Sequence, residues 1–245
     1  MTTQPTWAET SAASIARIRS DTDLQAHVRM LLRELSRCKY AYNFTWMGRP
    51  IIQCPQDIVA MQELAWSIKP DLVIETGVAH GGSLIFYASI LELVGGPGQV
   101  IGIDIDIRAH NRVEIEKHPM AKRITLIQGS SIDPAIGAQV RTLAAGAKRI
   151  LVVLDSNHTH DHVLAELELY APLVTKGSYL VVMDTAIDDL PDEFFTDRPW
   201  KKGNSPKSAV HAYLARNRRF EIDKDIDSKL LLTVAPDGYL KCIAD

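Results

Sequence analysis

The stretch of residues 72–83 constrains the fold of this chain more than any other part of the sequence. The apolar run Leu72–Ile74 leads into Glu75, a glycine-containing loop follows, and a second apolar run begins after Ser83. This order predicts a buried parallel strand, a tight turn and a helix whose N-terminus faces a crevice, with Ser83 as its N-cap. Gly77 permits a close backbone approach that a side chain would block, and Gly81 keeps the loop thin.

The chemistry of this loop favours a positively charged ligand. The loop lacks the G-x-G-x-x-G pattern that places a pyrophosphate on a helix N-terminus, and it carries a carboxylate, Glu75, at the end of the strand. A carboxylate attracts a cation and repels a phosphate. S-adenosylmethionine has a sulfonium and an amino group and no phosphate, so it fits these features. A plain structural turn is the alternative, because strand–turn–helix units are common.

Two further strands predict contacts with a nucleoside. The run 100–106 contains Asp104, an acid at the end of the second strand, which is the usual partner of ribose hydroxyls. A third strand, 123–128, leads into Ser130 and Ser131. These small polar residues either contact an adenine edge or cap the next helix, and the sequence leaves both interpretations open.

The chemically densest part of the sequence follows the fourth predicted strand. The apolar run 150–154 leads into Asp155 and, three residues later, His158; the fifth strand, 179–183, leads into Asp184. Neighbouring parallel strands end at the same edge of a sheet, so these side chains should converge there. His158 suits a general base, and the two carboxylates suit Mg²⁺. His160 and His162 are interpreted as surface residues at a helix start.

The remaining patterns define the fold class. Pro-Asp-Gly at 236–238 separates the apolar runs 229–234 and 239–243, which predicts an antiparallel hairpin. We therefore predict an α/β fold: a doubly wound, Rossmann-like sheet of seven strands with a C-terminal antiparallel hairpin, as in class I methyltransferases. Residues 1–45 are predicted to form an N-terminal arm and helix, and residues 46–245 the domain that contains this sheet, which resembles the sheet of S-adenosylmethionine-dependent methyltransferases.

Composition excludes several classes of protein. The net charge of −3 and the lack of a basic run argue against a nucleic-acid partner. Three scattered cysteines argue against a disulfide framework, and no stretch is long and apolar enough to span a membrane. We expect a soluble cytoplasmic protein.

Two aromatic segments have alternative interpretations. The segment 40–46 has an aromatic residue at every second position, which indicates an extended segment packed on the core or a cover over a pocket or subunit contact. The long loop 187–207, with Trp200, is expected to form an ordered lid. We also expect a homo-oligomer.

Several segments together carry a resemblance to a known family. They are Ile74–Gly77, His80–Ser83, Gly102–Asp104, Leu154–His158, Val182–Thr185, Gly203–Pro206 and Ala235–Leu240. From about residue 40 to its C-terminus, the chain resembles the cephalosporin hydroxylase-like proteins, which include rhamnosyl and macrolide-sugar O-methyltransferases. The resemblance implies S-adenosylmethionine-dependent methyl transfer to a hydroxyl of a sugar, glycan or glycosylated metabolite, often assisted by Mg²⁺, in carbohydrate or polysaccharide biosynthesis.

The resemblance also implies roles for individual residues. Asp155 matches the first metal-binding acid of the family, and His158 matches its base. Asp184 matches the second member of a Glu-Asp pair, but Met183 stands at the first position, which removes one metal ligand. Glu75, Gly77 and Asp104 would hold the cofactor.

Two other functions are compatible with the sequence. A nicotinamide-dependent oxidoreductase acting on a nucleotide sugar would use the same kind of sheet, although the missing glycine fingerprint and the terminal hairpin speak against it. A non-catalytic binding subunit that kept the fold is the other alternative, and Met183 is the residue that favours it.

Overall fold

The computed structural model describes residues 4–245, which form helices on both sides of a central sheet. The α-helices are α1 Trp7–Ser20, α2 Thr22–Arg37, α3 Pro55–Ile68, α4 Gly82–Val94, α5 Ala109–Glu116, α6 Pro134–Ala144, α7 His160–Tyr170, α8 Pro206–Arg216 and α9 Lys224–Leu230. The strands are β1 Phe44–Trp46, β2 Arg49–Ile51, β3 Leu72–Thr76, β4 Gln99–Asp104, β5 Ile124–Gln128, β6 Ile150–Leu154, β7 Tyr179–Val182, β8 Phe220–Ile222 and β9 Tyr239–Cys242. Short 3₁₀ helices connect several of these elements.

The central sheet has seven strands in the order β5-β4-β3-β6-β7-β9-β8. The first five in this order are parallel, and β9 runs antiparallel to both β7 and β8. The chain winds outwards from β3 to one edge and then from β6 to the other, so the ends of β3 and β6 border the crevice at the switch point. The predicted doubly wound sheet of seven strands is therefore confirmed.

Two hydrophobic layers hold the helices on the sheet. One layer joins Val73 and Leu151 to α3 and α4, and it includes Met61 and Phe86 of those helices. The opposite layer joins the next residues along the same two strands, Ile74 and Val152, to α6, α7 and α8. Because successive strand residues point to opposite faces, the apolar runs of β3 and β6 supply both layers at once.

The predicted terminal hairpin is correct for its second strand and wrong for its first. Strand β9 pairs with β8, so the antiparallel partner is Phe220–Ile222 and not the apolar run 229–234. That run instead ends α9 and continues as an irregular segment. The Asp223 side chain caps α9 by accepting hydrogen bonds from the amides of Asp225 and Ile226, which starts a helix where the apolar pattern favoured a strand.

The irregular segment after α9 is held by hydrogen bonds to the Asp57 side chain and not by pairing with a strand. Its buried carboxylate accepts hydrogen bonds from the Val234 amide at 3.0 Å, from the Tyr239 hydroxyl at 2.8 Å and from the Thr233 hydroxyl. Asp57 lies in the first turn of α3, which begins at Pro55 after Cys54. The carboxylate therefore joins α3 to the C-terminal segment, and burial raises its pKa to about 6.

The N-terminal helices lie on the outside of the sheet domain. Neither α1 nor α2 has a buried residue, and α1 contacts α9 through Arg19, whose Nε donates to Ser228 at 3.1 Å. The hairpin β1–β2 pairs Phe44 with Ile51, so the predicted division at residues 45 and 46 falls inside it. This division remains a prediction, and residues 1–3 of the expected arm lie outside the described part of the chain.

The aromatic segment 40–46 is a 3₁₀ helix followed by β1, and not one extended strand. Trp46 packs edge-on against Phe86 with ring centroids 4.9 Å apart, and its indole donates to the Ser89 hydroxyl at 2.9 Å. Tyr42 is exposed. The core-packing interpretation therefore holds for Trp46. Between residues 4 and 245, no helix combines the length and the apolar character that crossing a membrane requires.

Candidate functional site

Strands β3, β4, β6 and β7 bring four predicted site residues to one edge of the sheet. Glu75 and Asp104 lie at the ends of β3 and β4, Asp155 directly follows β6, and Asp184 lies two residues after β7. The four strands are parallel and in register, so their carboxyl ends lie side by side. The sequence argument from parallel strands therefore places these acids correctly.

Asp155, His158 and Asp184 form a compact cluster at this edge. One side-chain ligand atom of each residue lies within 4.8 Å of the others. The Nε2 atom of His158 lies 3.0 Å from a carboxylate oxygen of Asp184, and only 15 % of the His158 side chain is exposed. When Nε2 carries its proton, it donates to Asp184, which leaves the Nδ1 lone pair of His158 to accept another proton.

The backbone fixes the positions of the two acids. The Asp155 amide donates to the Thr76 carbonyl at 2.9 Å, and the Met183 amide donates to the Leu154 carbonyl at 2.9 Å. Asp184 itself adopts the left-handed conformation, with φ at 56°, which turns the chain directly after β7. Strand ends and one backbone turn therefore determine the spacing of the carboxylates.

Two nearby carboxylates favour a cation in this cluster. Burial raises the pKa of Asp155 well above its usual range, and the neighbouring negative charge of Asp184 raises it further. The donor set contains two carboxylates and one imidazole, and carboxylate oxygens are ligands that Mg²⁺ prefers. Met183 supplies no hard oxygen, as the sequence indicated. The residues present therefore fit a divalent cation with few protein ligands.

The predicted lid loop contacts this cluster through Trp200. Its ring lies edge-on to His158 with centroids 4.8 Å apart, and the Arg198 guanidinium lies 5.4 Å from the Trp200 centroid. Asp188 fixes the end of the loop by accepting from the Gly203 amide and the Ser205 hydroxyl, both at 2.7 Å. The loop is therefore ordered, and its Trp200 side chain covers His158, as expected for the segment around Trp200.

Glu75 lies beneath the first loop and is fully buried. Its Oε2 atom accepts a hydrogen bond from the Ser83 hydroxyl at 2.7 Å, and its Oε1 atom has no hydrogen-bond partner among the described residues. Burial raises the pKa of Glu75 to about 8. Ser83 was expected to be the N-cap, but α4 begins at Gly82 after Gly81, and the Ser83 hydroxyl bonds to the Glu75 carboxylate instead.

Glycines are needed at two positions of this loop. Gly77 has φ at 91°, and a Cβ there would come within 2.0 Å of the Asp155 carbonyl oxygen. Gly81 has φ at 81°, and a Cβ there would come within 2.4 Å of the Ile115 side chain. The close backbone approach predicted at Gly77 is therefore an approach to the Asp155 backbone, where the ends of β3 and β6 meet, and not to a ligand.

Asp104 holds the loop as well as facing the crevice. Its carboxylate accepts hydrogen bonds from the amides of Val78 at 2.8 Å, Ala79 at 3.3 Å and Asp106 at 3.0 Å. A carboxylate has about four lone-pair sites, so these bonds leave capacity for a ribose hydroxyl. Contact with a ribose remains a prediction for this residue.

Two residues that the sequence argument missed complete the support of the loop. Arg49 donates two hydrogen bonds to the His80 carbonyl, at 3.0 and 2.7 Å, and one to the Asn111 side chain at 3.0 Å. Asn111 in turn donates to the Ala79 carbonyl at 2.9 Å. These contacts span 31 to 62 positions of sequence, so no local pattern could have indicated them.

Ser131 belongs to a buried polar group beside the crevice. Its hydroxyl lies 3.0 Å from Nε2 of His162, and the Ser156 hydroxyl donates to buried Glu166 at 2.6 Å. The His162 side chain is only 18 % exposed, so its interpretation as a surface residue was wrong. The cause is the buried Glu166 carboxylate one turn further along α7, with its oxygen 3.5 Å from the imidazole.

The alternative role of the two serines as helix caps is also wrong. Asp133 caps α6, and its side chain accepts from the Ala135 amide at 2.8 Å. Ser130 is half-buried in the loop before this cap, where its carbonyl accepts from the Asp133 amide at 3.0 Å. Contact of Ser130 and Ser131 with an adenine edge remains a prediction.

Known proteins resemble this chain over most of its length. The family model described as "Rhamnosyl O-methyltransferase/CmcI" matches residues 38–243. A rhamnosyl O-methyltransferase of Mycobacterium bovis (strain BCG / Pasteur 1173P2) is 33 % identical over 203 residues, which cover 80 % of this chain and 77 % of that protein. A rhamnosyl O-methyltransferase of Mycobacterium leprae (strain TN) is 34 % identical over 205 residues, covering 80 % and 82 %.

Solved structures support the fold assignment. A CmcI structure described with Mg and SAM superposes with a TM-score of 0.56 at 20 % identity, covering 83 % of this chain and 78 % of that one. At this level of identity the likeness concerns the fold alone, and it confirms the class I methyltransferase architecture.

Proposed function

The chain belongs to the rhamnosyl O-methyltransferase/CmcI family, and on that basis we propose that it is an S-adenosylmethionine-dependent O-methyltransferase acting on a sugar hydroxyl. The acceptor is a hydroxyl of a sugar, glycan or glycosylated metabolite. The observation that carries the proposal is the convergence of His158 with Asp155 and Asp184 at the carboxyl edge of the sheet. These three are the proposed catalytic residues.

S-adenosylmethionine supplies an electrophilic methyl group on a sulfonium. Its proposed binding residues are Glu75, Gly77, Gly81, Ser83, Asp104, Ser130 and Ser131. Glu75 fits a cationic ligand because its buried Oε1 atom is an acceptor without a partner in the described chain. Asp104 and the two serines lie along the crevice on the side of β4 and β5, where a nucleoside can lie across the strand ends.

His158 is the proposed general base. A sugar hydroxyl is a poor nucleophile, and removal of its proton by a positioned base contributes roughly 10²–10⁴-fold to the rate. Asp184 orients the imidazole through Nε2, so Nδ1 accepts the proton of the acceptor hydroxyl. The deprotonated oxygen would then bond to the methyl carbon while the carbon–sulfur bond breaks and its electron pair stays on sulfur, which releases S-adenosylhomocysteine. Correct alignment of the oxygen, carbon and sulfur atoms contributes further.

Asp155 and Asp184 are the proposed ligands of Mg²⁺. A bound cation would offset the repulsion between their charges and could polarise an acceptor oxygen. Since Met183 cannot act as a hard ligand, waters and acceptor oxygens must complete the coordination. We therefore expect metal binding to be weak without acceptor. A strong chelator should lower turnover while leaving the affinity for S-adenosylhomocysteine nearly unchanged, and turnover insensitive to chelation would exclude the metal.

Trp200 is the proposed wall for the acceptor. It lies directly against His158, so an acceptor hydroxyl that reaches the base must pass its indole ring. Sugar rings carry apolar C–H faces, and an aromatic ring is an apolar surface that such a face can cover. The lid loop 187–207 then excludes water from the reacting atoms.

The wider assignments remain proposals. The scattered, unpaired cysteines favour a reducing, cytoplasmic location, and the negative net charge favours a small-molecule or glycan partner over a nucleic acid. A homo-oligomer and a division into residues 1–45 and 46–245 are likewise proposed. Membership of the family speaks against the nicotinamide oxidoreductase and against a non-catalytic subunit.

Calorimetry with two cofactors tests the proposed function. The protein should bind S-adenosylhomocysteine and not NAD, because the first loop lacks the glycine pattern that places a pyrophosphate on a helix N-terminus. His158→Ala should retain that affinity and lose turnover. The matched control is His27→Ala, which changes an exposed histidine on α2. Binding of NAD in preference to S-adenosylhomocysteine would refute the proposal.

A further inference from the structure

A group of buried polar atoms without partners surrounds Glu75. Among the described residues, both amide atoms of Gln53, the Tyr87 hydroxyl and the Glu75 Oε1 atom are buried and make no hydrogen bond. Only 2 % of Gln53 is exposed, and Glu75 and Tyr87 are fully buried. An unsatisfied buried donor or acceptor costs roughly 1–3 kcal/mol, so four such atoms in one place call for a partner.

The fold brings these three side chains together from separate elements. Ser83 and Tyr87 are four residues apart on α4 and therefore share a face, and Ser83 bonds to Glu75. Helical side chains lean towards the N-terminus, which directs the long Tyr87 side chain towards the level of Glu75. The pKa of Tyr87 is raised well above its usual range, first by burial and second by the charge of Glu75. The second effect requires the two side chains to lie close together.

Gln53 reaches the same place because Gly82 has no side chain. A Cβ on Gly82 would come within 2.1 Å of the Pro50 carbonyl oxygen, so the end of β2 lies directly on the start of α4. Gln53 lies two residues after the end of β2 and faces the Tyr87 phenol. Its amide lowers the pKa of that phenol, against the larger effect of burial. The amide does not meet the distance and angle of a hydrogen bond to that hydroxyl.

The unpartnered atoms have the chemistry of a site for an amino acid. Glu75 offers an acceptor for an ammonium group, and the Gln53 amide nitrogen and the Tyr87 hydroxyl offer donors for a carboxylate. Burial keeps the Tyr87 phenol protonated by raising its pKa, so it remains a donor. A purely apolar ligand would leave these groups unsatisfied, whereas a zwitterion pairs with all three.

We propose that Gln53 and Tyr87 bind the carboxylate of the amino-acid end of S-adenosylmethionine, while Glu75 binds its ammonium group. This inference rests on the proposed function, since it assigns two further residues to the cofactor pocket. Gln53 and Tyr87 select for ligands that keep the amino-acid end, and they have no contact with the nucleoside. They are binding residues and take no part in proton transfer.

Paired binding measurements test the assignment. Calorimetry compares S-adenosylhomocysteine with 5′-methylthioadenosine, which keeps the adenosine and the thioether but lacks the amino and carboxyl groups. Tyr87→Phe and, separately, Gln53→Met should weaken S-adenosylhomocysteine by roughly ten- to a hundredfold and change 5′-methylthioadenosine by less than about twofold. The matched control is Tyr179→Phe, which removes a hydroxyl that donates to Asp223 at the opposite end of β7.

The outcomes separate this inference from the proposed function. If both variants bind S-adenosylhomocysteine as the unchanged protein does, or lose both ligands equally, the assignment of Gln53 and Tyr87 is overturned and the proposed function stands. If the unchanged protein binds neither ligand, the proposed function fails and the inference fails with it. Thermal unfolding without ligand monitors the fold, and Tyr87→Phe should leave it intact because the hydroxyl it removes bonds to no described residue.

Discussion

Replacing Glu75 by glutamine should change how the stability of the protein depends on pH. The carboxyl is fully buried, and burial raises its pKa from 4.5 to about 8. Between these values the folded chain holds a proton that the unfolded chain releases. The free energy of unfolding therefore falls as pH rises, by about 1.4 kcal/mol per pH unit. Glutamine has nearly the same shape and cannot ionise, so Glu75→Gln should remove this contribution.

The magnitude follows from two pH values inside this window. From pH 5 to pH 7 the loss due to Glu75 amounts to about 2.5 kcal/mol, slightly less than two full units because the unfolded carboxyl is still partly protonated at pH 5. The difference in free energy of unfolding between Glu75→Gln and the unchanged protein should therefore shift in favour of the variant by about that amount when the pH rises from 5 to 7. Any constant cost of burying the new amide cancels in this difference. The hydrogen bond from Ser83 can be kept, because the glutamine carbonyl also accepts.

Urea unfolding at the two pH values measures this difference. Glu114→Gln is the matched control, because the Glu114 side chain is exposed on α5 and no hydrogen bond or ion pair joins it to another described residue, and it should give a difference near zero. The same stability shift in both variants, or none in Glu75→Gln, would refute the reasoning from burial. Glu75→Gln should also weaken binding of S-adenosylhomocysteine, since the Glu75 carboxyl can release its proton and become a negative partner for the ammonium group, whereas an amide cannot; undiminished affinity would remove Glu75 from the proposed cofactor site.

Three further substitutions test the loop, the cofactor site and the lid. Gly77→Ala should destabilise the protein by several kcal/mol in urea unfolding, because its Cβ would meet the Asp155 carbonyl at a positive φ; a loss below about 1 kcal/mol would show that the strand ends can separate. Asp104→Ala should weaken S-adenosylhomocysteine by about 1.5–3 kcal/mol in calorimetry, and unchanged affinity would refute the ribose assignment. Trp200→Ala should raise the acceptor KM in steady-state kinetics while preserving cofactor affinity; an unchanged KM would exclude it as the acceptor wall.

The fold and the cluster of acids and histidine at the sheet edge follow from patterns that are local in the sequence. Each apolar run that ends in an acid specifies a buried parallel strand, and parallel strands deliver their ends to one edge. Asp155, His158 and Asp184 could therefore be placed together without knowledge of any contact between them. The one strand placed wrongly, 229–234, shows the limit: a capping residue, Asp223, starts a helix before the apolar run begins.

The supporting residues were missed because their roles depend on contacts between distant segments. Arg49 and Asn111 act on a loop that neither adjoins in sequence, and Tyr87 has the pattern of an ordinary apolar helix residue. Ser83 was assigned to a cap because the sequence alone cannot weigh that role against a buried carboxylate eight residues earlier. His162 was misplaced for the same reason, since Glu166 becomes a buried partner only in the packed fold.

Transfer of an isotopically labelled methyl group tests the central claim most directly. The protein is incubated with methyl-labelled S-adenosylmethionine and a panel of rhamnosides and other glycosides, and mass spectrometry locates the label. We expect a labelled O-methyl sugar together with S-adenosylhomocysteine, and no labelled sugar from His158→Ala although that variant still binds the cofactor. A label that appears on the sugar equally with His158→Ala, or on no hydroxyl of any glycoside despite bound cofactor, would contradict it.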